Sequence, residues 1–449
     1  QDRPRRRRGA GLSVDAALRD EAVGLLRDLV RVDSSNPPGR ETPAALVVKA
    51  YLEANGVACE LVARDPDRAN LVARLPGRGT GPSLALLGHT DVVPADAVDW
   101  THPPFDAHLD DAGYVWGRGT CDMKNELATR CVALAYLART GFRPKGDLLL
   151  ISQADEEDGT EEVGMPWLLA ERPDLRCDYA IDEGGGVRLE LADGRVVYTL
   201  QVGEKATLPA TVTALGEAGH ASIPTLGRNA VPLLAELIGR LAAHRTERRL
   251  VPAIRGMVEA LGVDPDQGLD RVAAEVGALH PAFATEIDAL LGITIAPTLL
   301  TGSSARNVLP GRASVGVDCR ILPGDTEADL ERELAAALGD DIPHEVRLDQ
   351  GITGGTESPL GTALHAAIAD AVGAHEPGAV LVPQLSTGFT DAAFVRQAFG
   401  TVAYGFWPLV HTPLDVYEAG IHNRDERIHV DDLGVAVELQ LDVVRRLLG

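Results

Sequence analysis

His89 and Asp91, Asp122, Glu156 and Glu157, and Asp182 and Glu183 place one imidazole and six carboxylates within about a hundred residues. Such side chains hold divalent cations and move protons. His89-Thr90-Asp91 follows "SLALLG", Glu156-Glu157 follows "GDLLLISQAD", and Asp182-Glu183 follows "CDYAI", while Asp122 lies in "GRGTCDMK". Short apolar runs read as buried strands. In open α/β sheets, ligands collect in the crevice beyond the carboxyl ends of the strands. Acids and a histidine repeatedly placed at such ends point to a metal site better than to a surface charge pattern.

Each segment taken alone has a plainer reading beside the chemical one. In an extended chain His89 and Asp91 share a face, so the carboxylate could orient the imidazole; an H-x-D pair in a turn would look the same. Asp122 could bridge two cations, or simply sit at a helix start where the dipole favours an acid. Adjacent Glu156 and Glu157 point in different directions, so one can bind metal while the other faces substrate as a base; "DEEDGTEE" also suits a solvated loop. The glycines after Glu183 permit close backbone approach, or mark an ordinary turn. Cys121 reads as a packed small residue.

The surrounding pattern shows what must position these groups. Helical apolar spacing runs from Ala16 to Val32, stops before Asn36-Pro37-Pro38-Gly39, and resumes from Pro43 to Asn55 ahead of a Gly56 cap. Strands are expected at 57–63, 70–75, 83–88, 147–152 and 178–181, with a helix from Met123 to Arg139. Alternating strands and helices predict an α/β layered domain with a parallel or mixed sheet. The character changes near residue 204. Strands at 206–216, 293–300, 312–322 and 344–348, with helices over 229–244 and 326–338, suggest two helices on an antiparallel sheet, inserted into the first domain. A helical stretch of undefined packing covers 249–291. The first pattern returns after about 354, with a helix at 359–373 and a strand at 401–407.

The 449 residues suit two domains. Lys and Arg number 42 against 66 Asp and Glu, a net charge of −24, which argues against nucleic acid or an anionic membrane as the main partner. Arg3 to Arg8 form a basic block read as a disordered tail. The charged segment after it does not suit an export signal, and no apolar run reaches the ~18 residues of a membrane span. A cytoplasmic protein is therefore expected. Five scattered cysteines without a C-x-x-C fit reduced thiols.

From about residue 20 to its end, the chain resembles the dizinc amidohydrolases and peptidases that include aminoacylase, acetylornithine deacetylase, succinyl-diaminopimelate desuccinylase and glutamate carboxypeptidase. The series of strand-end acids is similar, and so are "GHASIPTLGRNA" around His220, "NVLPGRASVGVDCR" with Asn307 and Arg320, and "GIHNRDERI" with His422. Thr387-Gly388-Phe389-Thr390-Asp391 resembles the family's Gly-Thr-Asp turn, with Phe389 in place of its commonest glycine. The resemblance implies a zinc-peptidase-like catalytic domain, its central mixed sheet flanked by helices, and an inserted α+β two-layer lid or dimerisation domain. The implied boundaries are a tail over 1–12, the catalytic domain over 13–203 and 354–449, and the inserted domain over 204–353.

It also implies roles. One zinc takes His89, Asp122 and Glu183; a second shares Asp122 and adds Glu157 and His422, with cobalt or manganese as substitutes for zinc. Asp91 orients His89, and Glu156 is the general base. His220 supplies an oxyanion donor across a homodimer formed through the inserted domain; the plainer reading is a cap for the helix beyond Pro224. Asn307, Arg320 and Gly388 hold substrate, the arginine fork matching a carboxylate, although Asn307 and Arg320 also suit plain strand positions. The expected activity is hydrolysis of an amide bond beside a carboxylate-bearing amino acid, in a short peptide or an N-acyl amino acid. A non-catalytic dimeric binding protein and an amide-forming relative are the alternatives.

Overall fold

A computed structural model describes residues 15–159 and 162–449, so the arginine-rich tail lies outside the described residues. The chain forms two compact units. One comprises the described residues up to Val202 with Ser358–Gln384 and Thr390–Gly449; the other comprises Gly203–Glu357 and Leu385–Phe389.

The first unit is built on a nine-stranded sheet among the described residues. Its order is Cys59–Val62, Asn70–Leu75, Leu148–Gln153, Leu84–His89, Tyr179–Asp182, Val402–Gly405, Val196–Glu204 and Val380–Ser386, with Arg188–Glu190 beside Val196–Glu204. Leu148–Gln153, Leu84–His89, Tyr179–Asp182 and Val402–Gly405 run parallel at its centre; strands on either side are antiparallel. Leu84–His89 and Leu148–Gln153 are buried along their whole length, as parallel strands covered on both faces must be. On one face Ala85, Leu87, Leu149, Ile151 and Ala180 form a core with Met165, Leu168, Ala392 and Val395 of two short helices. Against the other lies the almost wholly buried helix Lys124–Arg139. The helices Ala16–Val30 and Val430–Leu448 pack on that helix in turn.

The second unit has the two-layer α+β form. His344–Leu348, Ala210–Leu215, Arg312–Ile321, Ala206–Thr207 and Thr353–Gly354 make an antiparallel sheet, with Thr294–Thr301 also paired to Arg312–Ile321. Burial alternates along Arg312–Ile321, the period of a strand with one face in a core. Leu234, Leu237 and Leu241 of the helix Ala230–Ala243, and Leu330 and Leu334 of Glu327–Leu338, fill that core. Asn229 caps the first helix, and a Thr326–Asp329 capping box starts the second, as such residues do at helix starts. The stretch near 249–291 becomes the helices Pro252–Ala260, Leu269–Leu279 and Pro281–Leu290. Leu385–Phe389, expected with the last part of the catalytic domain, groups instead with the second unit, where the Lys205 amide donates to the Ser386 carbonyl.

The late helix begins at Ala363 rather than near 359, because Thr362 supplies its cap. The 19-residue helix Val430–Leu448 and the strands Val196–Glu204 and Val380–Ser386 are not among the elements the sequence pattern assigned. All five cysteines are free and four are buried. Among the described residues, no helix is long and apolar enough to cross a membrane.

Leu134 is fully buried in the helix that backs the parallel strands. Leu134→Ala should cost about 2–5 kcal/mol, read from urea unfolding; a cost below about 1 kcal/mol would show that the helix is not a packed layer.

Candidate metal centre

The parallel strands deliver the site. His89 ends Leu84–His89, Glu156 and Glu157 follow Leu148–Gln153, and Glu183 follows Tyr179–Asp182. Asp122 sits two residues before the helix Lys124–Arg139, next to a cis Asp122–Met123 peptide. His422 comes from the loop after Leu414–Gly420 and takes a left-handed φ of 55°, a conformation uncommon for non-glycine residues and enriched at functional sites.

Asp122 stands at the centre. Its Oδ1 lies 3.1 Å from His89 Nε2, and its Oδ2 lies 3.2 Å from His422 Nε2. Glu183 Oε2 is 3.5 Å from His89 Nε2, and Glu157 Oε2 is 2.9 Å from His422 Nε2. Two groups result, His89–Asp122–Glu183 and Asp122–Glu157–His422, each with its donor atoms within 4.8 Å of one another. Glu156 Oε2 stands 3.9 Å from His89 Nε2. His89 is fully enclosed, whereas the His422 side chain is 53% exposed, so the centre opens to solvent on the His422 side.

Asp91 acts more widely than the H-x-D spacing implies. His89 Nδ1 meets the Asp91 backbone carbonyl at 2.9 Å, while the nearer carboxylate oxygen is 3.5 Å away. That carboxylate accepts the backbone N–H groups of Glu156 and Glu157 at 3.2 and 3.0 Å, and Asn36 Nδ2 at 2.9 Å. One buried acid thus fixes both the histidine and the two glutamates. Asn36 also donates to Asp155, which has a φ of 63° directly before Glu156. Nothing in the Asn-Pro-Pro-Gly breaker distinguished Asn36 from a turn residue.

The glycines after Glu183 are required by packing. A Cβ on Gly185 would lie 2.4 Å from the Gly405 carbonyl oxygen, and one on Gly186 would lie 2.0 Å from that of Trp407.

The cluster is short of positive charge. Burial, reinforced by the negative charge of Glu183, holds the Glu156 carboxyl well above the usual range. Burial also pushes Glu183 up to about 7 against the pull of His89. Burial opposes a charged His89, yet its bonds to Asp122, Asp91 and Glu183 raise its pKa well above the ordinary value. Hydrogen bonds to Asp122 and Glu157 push His422 up to about 10. Asp122 goes the other way: burial would raise it, but the two histidines keep it low. Divalent cations flanking Asp122 would meet this deficit. The residues fit them, since Glu157 Oε1 is buried without a hydrogen-bond partner and the donor set of imidazole and carboxylate suits zinc.

His220, Asn307, Arg320 and Gly388 lie in the second unit. There His220 and Asn307 are neighbours: Gly219–His220 pairs with Val308–Leu309, and the Ala221 amide donates to the Asn307 carbonyl. His220 is exposed, and its Nδ1 accepts from the Ser222 amide at 3.2 Å. Arg320 already has a carboxylate: its Nε and Nη2 donate to Asp318 at 2.9 and 3.1 Å, and Nη1 donates to the Thr207 hydroxyl. Gly388 donates its N–H to Ser386 Oγ.

Residues 85–446 match peptidase family M20/M25/M40. Succinyl-diaminopimelate desuccinylase of Rhodospirillum centenum is 31% identical over 427 residues, covering 92% of this chain and 94% of that protein. The Cereibacter sphaeroides protein of the same name is 29% identical over 434 residues, 95% of this chain and 98% of its own. Among solved structures, an M20 family metallo-carboxypeptidase from Sulfolobus solfataricus superposes with a TM-score of 0.71 at 18% identity, covering 95% of this chain and 99% of that one. Human carnosine dipeptidase 1 gives 0.70 at 16% identity, covering 96% of each.

Because Asp122 belongs to both groups, Asp122→Ala should abolish Zn2+ binding at each in equilibrium dialysis, whereas His422→Ala should leave the His89–Asp122–Glu183 group able to bind. Retention of two tightly held ions by Asp122→Ala would rule out a shared carboxylate.

Proposed function

The chain belongs to peptidase family M20/M25/M40 and is a metal-dependent hydrolase of amide bonds, and we propose that it works through two zinc ions sharing Asp122. His89 and Glu183 complete one site, and Glu157 and His422 the other, with cobalt or manganese able to substitute. The observation that carries this reading is the division of Asp122, one oxygen toward each histidine. When bound, such a pair polarises the scissile carbonyl and lowers the pKa of water toward about 7.

Glu156 is the general base. Its carboxylate lies beside the cluster, and its raised pKa suits a group that takes a proton from water and returns it to the leaving amine. Asp91 holds the Glu156 and Glu157 backbone, so adjacent acids keep separate tasks. His220 serves the tetrahedral oxyanion: with Nδ1 accepting from Ser222, the proton is on Nε2, which is then a donor. A second copy of the chain, paired through the inserted domain, would supply it. Asn307 and Arg320 hold the substrate carboxylate, Arg320 exchanging Asp318 for it, and Gly388 contributes to the pocket wall.

The substrate is an amide beside a carboxylate-bearing amino acid. Relatives near 30% identity are desuccinylases, which supports N-acyl amino acids as the first class to assay, ahead of short peptides. A non-catalytic binding role is not favoured, because every proposed ligand position and the base carry competent side chains; an amide-forming activity is not favoured because the matched family is of peptidases and the relatives near 30% identity are desuccinylases.

Glu156→Ala should lower kcat by at least about 100-fold with zinc content unchanged; substantial residual hydrolysis would remove Glu156 from the role of base. Mixing inactive Glu156→Ala and His220→Ala chains should restore hydrolysis that neither shows alone. Failure of the mixture, with subunit exchange verified, would place His220 in the same copy as the base or outside the reaction.

A further inference from the structure

Glu426 is fully buried, four residues beyond His422. Its carboxylate accepts four hydrogen bonds, all from the segment that ends in Asp122. Oε2 receives Arg118 Nη1 at 2.8 Å and the Gly119 N–H at 2.9 Å. Oε1 receives the N–H groups of Cys121 at 2.5 Å and Asp122 at 3.1 Å. The Glu426 carbonyl adds a fifth bond, from the Gly117 N–H. Four donors fill the acceptor capacity of a carboxylate, and bonds to an ionised acceptor are the strong ones.

These contacts close a ring. The chain leads from His422 to Glu426, Glu426 grips the Asp122 backbone, and Asp122 Oδ2 returns to His422 Nε2 at 3.2 Å. The same aspartate reaches His89 with its other oxygen. Ligand distances to a metal are tolerant to about 0.2 Å, so a small drift of the 117–122 loop would detune both groups at once. The loop has little other freedom: Gly119 has a φ of 86°, and a Cβ there would stand 2.9 Å from Lys124 and Val92 side-chain atoms.

We propose that Glu426 is a positioning residue, holding the bridging carboxylate of Asp122 in register with His422 and so setting the affinity for the cations on both sides of it. This rests on the two-metal reading above. Glutamine in its place would turn donors toward N–H groups that need acceptors and would remove the charge. An ordinary loop staple would affect folding alone.

The test uses the full-length chain, stripped by a chelator and titrated with Zn2+ against a chromogenic competitor. Glu426→Gln is expected to weaken binding of both ions ten- to hundredfold. The apo-protein circular dichroism should stay close to wild type, its melting temperature should fall because Arg118 loses its buried partner, and kcat should recover in excess zinc with KM unchanged. Wild-type affinity at both sites would overturn the proposal, as would an apo-protein that melts early yet binds zinc normally once folded. If Glu426→Gln does not fold, Glu426→Asp decides: it keeps the charge but shortens the reach, and unchanged zinc affinity there overturns the proposal equally. A wild-type chain that binds no zinc would instead sink the two-metal reading itself.

Discussion

Carboxylates repel one another and resist burial, and five of them (Asp91, Asp122, Glu156, Glu157 and Glu183) converge on two histidines at the strand ends of the first unit. Enclosing such a set is favourable only where positive charge and hydrogen-bond donors are aimed into it. The fold supplies donors in quantity: backbone N–H groups and Asn36 to Asp91, and Arg68 to Glu41 and Asp155. The remaining negative charge lies around His89 and His422, where bound metal would offset it. The rest of the first unit can be understood as the framework that keeps these charges together.

That framework relies on the parallel strands ending at the same level. Arg130, fully buried in the helix behind them, donates to the carbonyl of Leu87 on one strand and of Asp182 on another, and pairs with Glu126. A single guanidinium therefore ties together the two strand ends that carry His89 and Glu183. The helix bearing it is buried nearly all round, as expected of a layer sandwiched between sheet and outer helices. Deep packing and site geometry are thus one construction, and the glycine-rich segment carrying Asp122, which lies outside the strands, is held by bonds of its own to Glu426.

The second unit has a different physical character. Its antiparallel sheet keeps one face for a helical core, and the residues assigned to substrate lie on short strands, strand ends and a turn. Two of them hold local partners, His220 with Ser222 and Arg320 with Asp318. The first places the His220 proton on Nε2; the second already fills the Arg320 fork with a carboxylate.

The sequence by itself marked His89, Glu156, Glu157 and Glu183 as candidates, because donors that follow apolar runs carry a local meaning; His422 entered only through the family resemblance. The sequence also determined the alternation of strand and helix, the two-layer pattern after residue 204, and the acidic balance of the chain. Tertiary structure alone decided that Asp122 faces both histidines, since His422 lies three hundred residues further along the chain. It alone gave Asp91 its grip on the Glu156–Glu157 backbone, and Asn36 and Glu426 their work as supports. Those roles depend on contacts between segments far apart in the chain. A buried hydrogen-bond acceptor looks like any other acid until the fold shows which N–H groups it meets.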